Sequence, residues 1–130
     1  MRKKKYKVIV TKEDLGYSAT CTMGINFVAT EADSFEELKT NVIEALNFTF
    51  EEEKKTFDQN DLRFEFDLES FFDFYKVINA KALSERIGMN QSLLAQYIRG
   101  IKKPSPAQTK RILTGVQQIG KELTEVKFLL

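Results

Sequence analysis

Residues 80–100 read AKALSERIGMNQSLLAQYIRG. Apolar side chains recur there at helical spacing, at Leu83, Ile87, Leu94 and then Tyr97 or Ile98, and the period is interrupted once, at Gly88. Glycine allows a left-handed turn without Cβ strain, so the stretch is expected to form two short helices joined by a tight elbow. Asn90 stands as N-cap of the second helix, because its side-chain oxygen can accept the backbone N–H groups left open at a helix start. Leu83, Ile87 and Met89 then face Leu94 and Tyr97 across the angle, and small Ser84 lets the two axes approach closely. Gln91, Ser92, Ala95, Gln96 and Arg99 remain on the outer side. These residues can donate and accept at base edges and phosphates, and none is a catalytic group.

Extended to LSERIGMNQSLLAQYIRGIKKPSP, the block resembles a helix-turn-helix of the Cro/phage-repressor class, with Gly100, Lys102, Lys103 and Pro104 at that class's Gly-basic-basic-x-Pro loop. Pro here follows the basic pair directly, Ser84 replaces the usual Ala at the crossing, and Tyr97 replaces an aliphatic residue. The resemblance implies duplex DNA as ligand. Gln91, Ser92 and Gln96 are the candidates for base edges, and Arg99, Lys102 and Lys103 for phosphates.

Charge is distributed to match. The chain of 130 residues has a net charge of +1, but residues 1–68 carry ten Lys and Arg against fourteen Asp and Glu, and residues 69–130 carry ten against five. Between residues 76 and 121 there are nine basic side chains and one acid, Glu85. A basic field supplies the sequence-independent, salt-sensitive part of DNA affinity, whereas the acidic front half would repel phosphates and attract a basic partner. Hydrophobic content of 42% with 30% charged residues is that of an ordinary globular chain. The lone Cys21 excludes an internal disulfide and fits a reduced, cytoplasmic setting. The absence of His removes the paired Cys and His signatures of zinc sites, and no metal or other cofactor is expected. No apolar run approaches the roughly twenty residues of a membrane span. The opening MRKKK is read as a solvated tail leading into a strand.

Upstream of the elbow, Tyr6–Thr11, Tyr17–Thr22 and Ile25–Thr30 are β-branched or alternating runs separated by turn residues, which predicts a three-strand meander. Ser34 and Glu37 have capping-box spacing, and Phe35, Leu38, Val42, Ala45 or Leu46, and Thr49 or Phe50 form a helical stripe suited to packing on the sheet. Residues 51–61 read as a frayed end and loop with a solvated acid run. LRFEFDL, Leu62 to Leu68, alternates strictly and predicts a fourth strand. Ser70–Val77, with Phe71, Phe72, Phe74 and Tyr75, shifts to helical spacing, and its aromatics are expected to pack beside Leu83 and Ile87. Downstream, Ser105 caps a helix with Pro106 in its first turn and Ile112, Leu113, Val116, Ile119 and Leu123 as its buried edge, weakened modestly by Gly115 and Gly120. The closing EVKFLL is β-like and is expected to be a pairing edge for self-association.

A meander, a helix opened by DSFEEL, a fourth strand running into an aromatic helix, and a repressor-type module together resemble the HicB antitoxin family, in particular members with a C-terminal helix-turn-helix. The resemblance spans nearly the whole chain. It is most specific in FEFDLESFFDFYK, in the helix-turn-helix block through KRI, and in IGKEL, and the Pro-Asp-Leu-Pro-Gly-like turn of that family is here TMGI. It implies an α+β chain: residues 1–68 a small antiparallel sheet with a packed helix, similar to a truncated ribonuclease H fold without working acids, and residues 69–130 an all-α DNA-binding and dimerisation domain. The implied partners are operator DNA, a small basic HicA-type RNase toxin, and a second copy of the chain as homodimer or higher multiple. No enzymatic activity is expected, since Glu65 and Asp67 read as the outer face of a strand and no His is present as a base near neutral pH. The alternative is a stand-alone transcriptional regulator whose front domain senses a small molecule.

Overall fold

The computed structural model describes residues 5–130, so all but the last residue of the MRKKK opening lies outside the described residues. The protein is α+β: the described residues form a four-stranded mixed sheet and five α-helices, and the chain divides into two compact units between Phe74 and Tyr75.

In the first unit, β1 (Tyr6–Lys12), β2 (Tyr17–Met23) and β3 (Asn26–Ala32) form the expected antiparallel meander. Helix α1 (Phe35–Thr49) follows and leads back to β4 (Leu62–Phe66), giving the order β3-β2-β1-β4. The sheet is therefore not purely antiparallel. β4 pairs parallel to β1, Val8 opposite Phe64, because a strand reached through a helical crossover returns in the same direction. Alternation places Val8 and Val10, Ala19 and Cys21, Val28 and Leu62 on one face, where they are buried with Leu38, Val42 and Leu46 of α1 and with Phe50 and Phe57. Full burial of one such aliphatic side chain is worth about 1.5–3 kcal/mol, so this cluster is what holds α1 on the sheet. Ser34 caps α1 by accepting the Glu37 N–H at 3.2 Å. The segment after α1 is tied down by Asn47, whose Oδ1 accepts the Phe57 N–H at 2.7 Å.

Helix α2 (Leu68–Phe74) belongs to this first unit, which moves the division from the expected 68/69 to 74/75. Three contacts explain the shift. Ser70 Oγ accepts the Lys12 N–H at 2.8 Å, Asp73 pairs with Lys12 Nζ at 3.1 Å, and the Tyr17 hydroxyl donates to Asp73. That last bond, with burial added, pushes the Tyr17 hydroxyl above its ordinary pKa. The aromatics likewise pack here: Phe74 lies 4.1 Å from Tyr17, 4.7 Å from Phe35 and 5.3 Å from Phe66, centroid to centroid. The expected packing beside Leu83 and Ile87 is thus corrected for Phe74. The strand is also shorter than Leu62–Leu68, because Asp67 turns to accept the Ser70 N–H at 2.7 Å and opens α2, a cap's role and not an outer strand face.

The second unit holds α3 (Ala80–Ile87), α4 (Gln91–Ile98) and α5 (Pro106–Glu125). Its interior is Leu83, Met89, Leu94 and Ile112, all buried, with Ser84 sealed at the same level and its hydroxyl donating to the Lys81 carbonyl. On α5 only Ile112 of the expected apolar edge is buried. Val116 and Ile119 are half-buried, while Leu113 and Leu123 are 51% and 64% exposed. Val126–Leu130 forms no strand: α5 ends at Glu125 and the β-like residues after it are exposed, since β propensity without a neighbouring strand leaves a run unpaired.

Candidate nucleic-acid interface

The elbow is built by two successive helix stops of one kind. Gly88, at φ +67°, ends α3 with the Met89 N–H donating to Ser84 O at 2.8 Å and the Gly88 N–H to Glu85 O at 3.3 Å. Gly100, at φ +76°, ends α4 with the Ile101 N–H donating to Gln96 O at 2.9 Å and the Gly100 N–H to Tyr97 O at 3.2 Å. Both are paired 6→1 and 5→2 bonds around a left-handed residue, which satisfy carbonyls that a helix end otherwise leaves open. Each start is capped in turn, by Asn79 Oδ1 on the Ala82 N–H at 3.0 Å and by Asn90 Oδ1 on the Leu93 N–H at 3.1 Å. Asn90 was legible as a cap. Asn79 has the same signal, an Asn directly before an apolar period, at the position just before residues 80–100.

Gln91 and Ser92 are the first two residues of α4 and are exposed. Gln96 lies one turn beyond Ser92 and is half-buried, Arg99 is the exposed C-cap, and Lys102 and Lys103 are exposed in the segment before α5. The helical repeat puts Ser92, Gln96 and Arg99 on one face with buried Leu94 turned away, while Gln91 lies about 100° round the helix from Ser92 and is exposed as its first residue. The Gln96 carbonyl also accepts the Lys102 N–H at 3.3 Å, so the basic loop is hydrogen-bonded to the helix beside which it lies.

Counted at the structural division, residues 1–74 carry ten basic and sixteen acidic side chains, and residues 75–130 ten basic and three acidic. The nets, −6 and +7, are further apart than the sequence halves suggested. Not every cation is available to a ligand. Arg86 is held by Glu122 in a two-bond pair at 2.8 and 2.9 Å, and Arg111 is committed to the carbonyls of Ile87 and Gly88. The Arg86 bonds, with one from Gln118, hold the Glu122 carboxyl down to a pKa of about 2. Arg99, Lys102 and Lys103 form no ion pair among the described residues. Local patterning could not have exposed the two arginine contacts, which join residues 36 and 24 positions apart.

No protein-family model, curated protein or solved structure matches the chain. A short helix with exposed amide and hydroxyl groups at its start, followed by three unpaired cations, can donate to and accept from a planar polar edge while neutralising nearby phosphates. Among the described residues no cluster of His, Cys, Asp and Glu is arranged to hold a metal ion, and no helix is long and apolar enough to cross a membrane.

Proposed function

We propose that the chain is a two-part DNA-binding regulator of the HicAB-like type II toxin–antitoxin kind. Residues 75–130 read operator DNA as a helix-turn-helix module with α4 as the reading helix, and residues 1–74 cover a small basic RNase toxin. The observation that carries the DNA half is α4, with Gln91 and Ser92 exposed at its start and half-buried Gln96 one turn on, beside free Arg99, Lys102 and Lys103, in a unit of net +7. Phosphate neutralisation by the three cations gives affinity for any sequence, and the amide side chains discriminate, a bidentate Gln–adenine pair being worth about 1–3 kcal/mol. The front half is supported by charge of the opposite sign and by a layout of meander, crossover helix, fourth strand and aromatic helix that agrees with the resemblance in the sequence. A homodimer presenting two such helices to half-sites about one helical turn apart is the expected assembly, and the exposed Leu113, Leu123 and Val126 are apolar surface available to it.

Gln96→Ala tests the DNA half. Binding to a duplex selected by the wild-type chain from a randomised pool is expected to fall by about tenfold, with little change on random DNA. Equal losses on both duplexes would remove base reading. Co-expression with the adjacent open reading frame tests the front half: relief of a growth arrest by the intact chain supports the antitoxin, while no arrest, with DNA binding retained, leaves the stand-alone regulator.

A further inference from the structure

The carbonyls of Ile87 and Gly88 lie at the bend between α3 and α4, past the two bonds that close α3. Arg111, projecting from α5, reaches both. Its Nε and Nη2 donate to Ile87 O at 3.1 and 2.7 Å, and Nη2 also donates to Gly88 O at 2.8 Å. A planar guanidinium can bridge two neighbouring carbonyls in a fixed direction, which a lysine ammonium on its flexible stem cannot. Positive charge there also complements the negative end of α3. The helix that carries Arg111 is itself fixed against α3 at two further points. A Cβ on Gly115 would come within 2.4 Å of Ile87 Cγ2, and Glu122 holds Arg86 by two bonds. α5 is thus held against the C-terminal end of α3, and Arg111 is the part of it that grips the elbow.

We propose that Arg111 is a positioning residue for the reading helix, setting the direction in which α4 leaves the elbow by holding the Ile87 and Gly88 carbonyls, without itself touching DNA. This inference rests on the DNA-binding reading above. It separates two roles that charge counting merges: Arg99, Lys102 and Lys103 act on the ligand, Arg111 on the backbone that presents them.

The test compares full-length wild type with Arg111→Lys, which keeps the charge and loses the fork, and Arg111→Gln, which loses both charge and fork. Binding is measured over a range of salt on the duplex selected by the wild-type chain and on random duplex, at a temperature where circular dichroism shows every variant folded. Both variants are expected to bind the selected duplex about tenfold more weakly, with random-duplex affinity and salt slope unchanged. Wild-type binding by Arg111→Lys, or a slope reduced by about one unit in Arg111→Gln on both duplexes, would make Arg111 a phosphate contact and overturn the proposal. Amide exchange without DNA supplies an independent arm. The Gly88 and Met89 N–H groups are expected to exchange faster in both variants while Leu38 and Val42 in α1 do not change, and unchanged exchange at the elbow overturns the proposal. If the wild type enriches no duplex, the DNA-binding reading fails and the exchange arm alone decides whether Arg111 holds the elbow.

Discussion

Helix α1 begins under Ser34 with Glu36 and Glu37 in its first turn, and α2 begins at Asp67 with Glu69, whereas α3, α4 and α5 begin under Asn79, Asn90 and Ser105 with no acidic side chain in theirs. An acid placed at a helix start stabilises it by about 0.3–1 kcal/mol through the macrodipole. The first unit takes that gain repeatedly and the second forgoes it three times. The same contrast appears in the cores. Eleven buried apolar residues form the cluster of the first unit, against Leu83, Met89, Leu94 and Ile112 in the second. The second unit therefore depends more on each close contact, and it leaves positive helix ends and unpaired cations at its surface. If the second unit binds DNA as proposed, phosphates would supply the negative charge that the start of α4 lacks.

The largest expected effect that sharpens this contrast concerns the two interior glycines of α5. Alanine is a better helix former than glycine by about 1 kcal/mol, and nothing lies within 4 Å of a Cβ at Gly120, so Gly120→Ala is expected to stabilise the second unit by up to about that amount. At Gly115 the added methyl meets Ile87, and overpacking of this kind costs about 1–3 kcal/mol, so Gly115→Ala is expected to destabilise despite the better propensity. Chemical denaturation should show the two substitutions moving the midpoint in opposite directions. In an Ile87→Ala background, which removes Cγ2, Gly115→Ala should become stabilising. Destabilisation by Gly115→Ala that persists there would show that the contact is not its cause.

Ser92→Glu probes the helix starts directly. Placed in the first turn of α4, the carboxylate is expected to add about 0.3–1 kcal/mol of stability while weakening duplex binding. A variant that is both more stable and binds duplex as well as wild type would break the link between the missing acids and the ligand.

The smallest effect is at the Arg86–Glu122 pair. Its carboxyl titrates near 2 in the folded chain, below its ordinary value, so the pair contributes stability above about pH 4.5 that fades as pH falls toward 2. Because both side chains are nearly half exposed, the contribution is small and screened by salt. Glu122→Gln should flatten that part of the acid unfolding curve. A wild-type profile unchanged by the substitution would show that the pair contributes nothing measurable.

Features encoded in a few adjacent residues were legible in the sequence: the caps Ser34, Asn90 and Ser105, the Gly88 elbow, the meander and the alternation of β4. The exposed positions of Gln91, Ser92 and Arg99 followed from the same helical period. Asp67 caps by accepting the N–H three residues on, as Ser34 does, but the strict alternation of residues 62–68 masks that local signal. Features set by distant partners were not legible. Phe74 carries no mark that sends it to Tyr17 and Phe35 in preference to Leu83. The direction of β4 depends on the crossover, and the contacts of Arg111 and Gly115 depend on where α5 packs against α3. Leu123 lies about three turns beyond Ile112 on the same helix face, but a three-helix unit this small has neighbours for only part of that face, and Leu113, the residue after Ile112, points about 100° away from it.

Mapping of amide chemical shifts on the full-length chain, with and without the duplex it selects, tests the assignment of DNA binding to the second unit most directly. Perturbations are expected at Asn90–Lys103, strongest at Gln91, Ser92 and Gln96, with the strand residues Val8–Met23 unmoved. Perturbations centred on the sheet with none along α4, or no perturbation by any duplex at low salt, would contradict it.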